Sequence, residues 1–144
     1  MNLKLTLLFT LAVLGTELWT QKEPKTNPTS TEYTLLFFES SDGFSNRSGP
    51  KSKDYWDRWT TYIGKIRSSG KVLGGNALSD ASTAKVVGNQ IPERAAPRLG
   101  GYLIVSADTA EAASKFAAGC PAIEDGGYVE IRSVLKMDQD GATR

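Results

Sequence analysis

LGGYLIVSADTAEAASKFAAGCPAIEDGGYVEIRSV, Leu99 to Val134, reads as a strand, a helix and a second strand in immediate succession. Gly100 to Ala107 is almost continuously apolar, the pattern of a strand covered on both faces. Asp108 with Glu111 forms a capping box at the start of the helical stretch, and Gly119 with Pro121 closes it. The last segment alternates. Val129 and Ile131 point to one face, and Tyr128, Glu130 and Arg132 to the other, because strand side chains alternate with a period of two. One face is core, so the other must meet water, a ligand or a second copy of the chain.

Working outward, YTLLFF (Tyr33–Phe38) repeats the doubly apolar pattern and predicts another strand buried on both sides. SDGFSNRSGPKS, residues 41–52, reads as a loop by its Gly, Pro, Ser and Asn content. From Lys53 to Ser69, Trp56, Trp59, Ile63 and Ile66 recur at helical spacing, which predicts a helix with those four on its core stripe. Ser52 is its expected N-cap, Asp54 and Arg58 an i,i+4 pair, and Gly70 its left-handed stop. KVLGGNALS (71–79) predicts a further strand, its Gly74-Gly75 pair pointing to a bulge or a close backbone approach. TAKVV (83–87) reads as a short extra strand, and residues 88–99 as a loop. The order is strand, helix, strand, strand, helix, strand. That is the α+β, ferredoxin-like βαββαβ pattern, an antiparallel sheet with both helices on one face and the first and third strands central. Since the first strand is apolar on both sides, the uncovered face predicts a homodimer.

Bulk composition narrows the chemistry. The 144 residues, 40% hydrophobic and 23% charged, suit one globular domain. Seventeen basic against sixteen acidic residues leave a net charge of +1, with no electrostatic footprint for nucleic acid. There is no histidine, which removes Ser-His-Asp, Cys-His and His-ligated metal arrangements together. The single cysteine, Cys120, excludes an intrachain disulfide and reads as packing at a helix end. No cofactor or metal motif appears. Residues 1–20 combine Lys4, an apolar run from Leu5 to Leu14 and a polar end, the order of a signal peptide, and predict an exported (periplasmic or secreted) protein. Contact with a membrane is expected only through that segment. Residues 21–32 read as a flexible linker, 33–137 as the folded domain and 138–144 as a polar tail.

The segments YTLLFFES, WDRWTTYIGKIRSSGKVLGGNAL and Leu99–Val134 together resemble the YCII-related (DGPF-domain) family, and the last is the most specific. The resemblance implies a dimeric α/β barrel, two sheets face to face around a cleft, and a His-Asp pair proposed as catalytic in some members. This chain has no histidine. Where the family's D-G-P-F tetrapeptide falls, it reads Asn89-Gln90-Ile91-Pro92, and an amide cannot act as a general base. Whether the chain is an enzyme stays open, and no catalytic residue is assigned.

Two functional readings follow. The first is a dimer binding a small organic ligand in the inter-sheet cleft, with Glu39, Tyr128, Glu130 and Arg132 as its wall. A structural ion pair between Glu130 and Arg132 accounts for the same residues without a ligand. The second is a non-catalytic envelope module for protein interaction or structure. Fold alone does not choose between them.

Overall fold

Alternation in the first strand sets the architecture. In the computed structural model, which describes residues 30–80, 85–88 and 97–137, β1 (Thr31–Glu39) buries Leu35, Phe37 and Glu39 on one face. Leu36 and Phe38 lie half-buried on the other. β3 (Arg98–Ala107) pairs with it antiparallel, Leu35 opposite Leu103 and Tyr33 opposite Val105. β4 (Tyr128–Ser133) lies along the other edge of β1, and β2 (Val72–Ala77) along the outer edge of β3, also antiparallel. The sheet order is β2-β3-β1-β4, with the first and third strands central, as the ferredoxin-like reading requires.

One face of this sheet carries the helices. α2 (Ser52–Arg67) and the segment from α3 (Ala110–Ser114) to α4 (Pro121–Glu124) pack on it, in a cluster uniting Leu35, Phe37, Leu103 and Val105 with Tyr62, Ile66, Ala113 and Ala117. Val129 and Ile131 pack against the same cluster. Cys120 is fully buried within it.

Several local expectations are corrected. Of the expected α2 stripe, Ile66 is buried and Trp59 and Ile63 pack half-buried against the core, but Trp56 is 41% exposed and Tyr55 and Tyr62 are buried instead. The hydroxyls explain the rotation. Tyr62 donates to the Phe116 carbonyl at 2.6 Å and Tyr55 to Glu39 at 2.8 Å, so both tyrosines are buried without an orphaned polar atom. Arg58 does not pair with Asp54. It grips Asp125 through two hydrogen bonds of 3.0 and 2.6 Å and tethers α2 to the turn before β4. Thr109, not Asp108, caps α3, its hydroxyl accepting from the Ala112 N–H. Gly119, at φ 70°, ends that segment, and Pro121 opens α4. The loop read over residues 41–52 contains a short helix, α1 (Ser41–Ser45), capped by Ser40 and burying Phe44. Residues 85–87 form no strand. The expected signal peptide, all of the linker but residues 30–32, Asn89-Gln90-Ile91-Pro92 and the tail lie outside the described residues.

Candidate functional site

A cavity of about 470 Å³ lies between α2 and the β2–β3 half of the sheet, on the helix side. Its existence follows from small residues. On the sheet side the lining comes from Gly75, Gly100 and Gly101 with Asn76 and Ala77; on the helix side Trp56, Trp59, Thr60 and Ile63 face it. β2 and β3 approach closely because a Cβ on Gly101 would stand 3.0 Å from the Asn76 carbonyl, and one on Gly75 would overlap Leu103. Both strands bulge here, with Leu73 the extra residue in β2 and Gly100 the extra residue in β3.

One end of the cavity is a buried polar cluster. Glu39, the last residue of β1, is 1% exposed and points to the helix side, as its alternation with Leu35 and Phe37 demands. An isolated buried carboxylate is costly, and Arg47 answers it. The guanidinium forms an ion pair with Glu39 through Nη2, and Nε donates both to Glu39 at 3.3 Å and to the Tyr55 hydroxyl at 3.0 Å. Nη1 and Nη2 also donate to the Leu78 and Gly100 carbonyls, each at 2.6 Å. The Phe44 ring lies under the guanidinium, 4.4 Å from its centroid. Gly100 is required here, since a Cβ would overlap the Glu39 carboxylate and the Arg47 guanidinium. Burial alone pulls the Arg47 pKa down, but its hydrogen bond and charge contact with Glu39 outweigh that and hold it above the ordinary value. Burial, and then the Glu39 charge, push the Tyr55 hydroxyl well up, so it remains a donor to the carboxylate. The cluster is therefore a fixed, fully protonated donor set around one carboxylate.

The wall above it is aromatic. Trp59 meets Phe37 edge-on, ring centroids 5.2 Å apart, and Trp56 stands edge-on to Tyr55 at 4.8 Å. The Trp56 indole donates to the Arg47 carbonyl at 3.1 Å, which fixes the ring at the cavity edge. The Trp59 indole N–H is buried with no hydrogen-bond acceptor among the described residues, packed against the Phe37 and Tyr62 rings.

The four residues singled out from sequence do not form one wall. Glu39 lies on the helix side of the sheet, and Tyr128, Glu130 and Arg132 lie on the opposite face, beside Phe38, Leu36 and Thr34 of β1. The parity of β1 decides this, because Glu39 shares a face with Phe37 and not with Phe38. Tyr128 stacks on Phe38 at 4.7 Å, and Arg132 pairs with Glu130 at 2.6 Å on an open surface. Sequence reasoning missed Arg47, read as loop, and Tyr55, passed over because a tyrosine counts weakly in an apolar stripe. The pairs Gly74-Gly75 and Gly100-Gly101 were the signal for the cavity itself. Among the described residues no group of three or more acidic, Cys or His side chains is placed to hold a metal, and no helix is long and apolar enough to cross a membrane.

The model of the YCII-related domain matches residues 51–138, more than half of the chain. No curated protein matches it. Among solved structures the chain is similar to 5-chloro-2-hydroxyhydroquinone dehydrochlorinase from Burkholderia phenoliruptrix AC1100, in complex with 2,5-dihydroxybenzoquinone. The two are 12% identical, the match covers 77% of this chain and 99% of that one, and the TM-score is 0.48.

Proposed function

Because the chain belongs to the YCII-related domain family, with its βαββαβ sheet in place, we propose that it is a small-molecule-binding domain whose ligand occupies the cavity between α2 and β2–β3. The observation that carries this is the cavity itself: about 470 Å³, aromatic on one wall, bare glycine backbone on the other, closed at one end by Glu39, Arg47 and Tyr55. Ligand sites are commonly of this size, mainly apolar, with a few convergent polar groups. The site proposed here differs from the inter-sheet cleft expected from sequence. A cleft of that kind needs a second chain, whereas this cavity is complete within one.

A homodimer through the open sheet face remains part of the proposal. Leu36, Phe38, Tyr102 and Ile104 share that face with Tyr128, and none packs against the helix-side core. A second copy would cover them. Export directed by residues 1–20 also remains part of it, supported by their order of charge, apolar run and polar end. Protein recovered from the cell envelope or medium should lack these residues by intact mass; a full chain found only in the cytosol contradicts export.

Thermal shift with small carboxylates and phenolics tests the binding claim. A ligand from this panel should raise the melting temperature of the full chain, and Trp56→Ala, which removes an exposed cavity wall, should abolish the shift. A shift that survives Trp56→Ala undiminished contradicts this placement of the site.

A further inference from the structure

Of the seven α2 residues that line the cavity, Trp56, Thr60, Gly64 and Arg67 form one stripe, at steps of four, four and three. The first and last stand eleven residue steps apart, a run of about 16 Å along the helix. Gly64 stands out in it. Its backbone is helical, with no positive φ to demand glycine, and a Cβ placed on it would meet nothing within 4 Å. Glycine is the poorest helix former except for proline, so packing and propensity both favour a larger residue. What the glycine does provide is space, on the helix wall of a cavity that Gly75 and Gly101 also line.

Charge supplies the second observation. Among the described residues, three charged side chains line the cavity: Glu39, Arg47 and Arg67. The first two neutralise each other, and Arg47 already donates to Glu39, Tyr55, Leu78 and Gly100. Arg67 forms no ion pair among the described residues and stands exposed at the far end of the stripe. A cation in the last turn suits the helix dipole. That alone does not explain the empty wall one turn before it.

We infer that the ligand is a flat organic anion, its acidic group paired with Arg67 and its ring lying over Gly64 against the tryptophan wall. This rests on the reading of the cavity as a ligand site and adds the ligand's charge and the residues that select it. An arginine fork matches a carboxylate with two parallel hydrogen bonds. Among the described residues the tied-up Glu39–Arg47 end offers no second free cation, so one acidic group is selected, not two.

Isothermal titration of the full chain with benzoate and 2-naphthoate, against benzamide and 2-naphthamide, tests the inference. The acids should bind at least tenfold more tightly than the amides. Arg67→Gln should erase that preference by bringing the affinity for the acids down to that for the amides. Gly64→Leu, a better helix former entering open space, should melt no lower than the parent chain yet bind all four at least tenfold more weakly. Amides binding as tightly as acids, unchanged acid affinity in Arg67→Gln, or parental binding in Gly64→Leu would overturn this inference and leave the cavity a ligand site. Absence of binding by all four would overturn both.

Discussion

Gly100 carries a hydrogen where any other residue would carry a carbon, and the Glu39–Arg47 ion pair occupies that space. Three residues far apart in sequence thus depend on one another. Glu39 is 1% exposed, and removing its cation leaves a buried charge without compensation. Arg47→Met should therefore cost about 3–5 kcal/mol of stability. Gly100→Ala should cost a similar amount by forcing the pair apart, and chemical denaturation of both variants measures it. Loss of less than 1 kcal/mol in either variant would show that the cluster is not the buried pair described. Tyr55→Phe removes one hydrogen bond to the carboxylate and should cost less, about 1.5–3 kcal/mol.

At the scale of elements, the helix-side layer holds its protons against alkali. Burial pushes the Cys120 thiol above its ordinary 9.0, and burial likewise drives the Tyr55 and Tyr62 hydroxyls well above 10.0. All three are protonated in the folded chain where the unfolded chain would already ionise. Their contribution is therefore fully present below about pH 9 and is lost as pH rises through and beyond 9–10. Melting temperature should begin to fall near pH 9, and in Cys120→Ala the onset should move toward pH 10. A melting temperature flat from pH 8 to 11 would contradict the burial of these groups. The elements themselves were largely legible: four strands, the long helix, the Gly70 and Gly119 stops and the Gly74 bulge follow from periodicity and glycine placement. The rotation of α2 was not, since hydropathy ranks tryptophan above tyrosine and cannot see that Phe116 and Glu39 accept from the tyrosine hydroxyls. Arg47 was hidden for a related reason. It comes from a segment whose composition says loop, and only the three-dimensional path of α1 brings it back to the end of β1.

For the whole molecule, the sheet divides two regions that sequence joined into one. The helix face holds a cavity complete within a single chain; the open face holds Phe38, Tyr128 and the Glu130–Arg132 pair. The alternation of β4 was readable, and its Tyr/Glu/Arg face does stand away from the helices. Assigning Glu39 to the same wall failed because the assignment depended on the parity of another strand. The proposed dimer uses that open face. Light scattering should give twice the monomer mass, and Arg132→Met should weaken the dimer by leaving Glu130 unpaired at the interface. The double variant Glu130→Gln/Arg132→Met should recover part of the loss. A monomer at micromolar concentration would remove the dimer and leave the cavity untouched.

Where the ligand sits is therefore the question on which the account turns, and amide and indole ¹H–¹⁵N chemical-shift mapping of the full chain during titration with 2-naphthoate answers it. The account predicts shifts at the Trp56 and Trp59 indole N–H signals and at the Gly64, Arg67 and Gly101 amides, with those of Tyr128, Glu130 and Arg132 unmoved. Shifts confined to Tyr128, Glu130 and Arg132 would place the ligand on the open face of the sheet and contradict it.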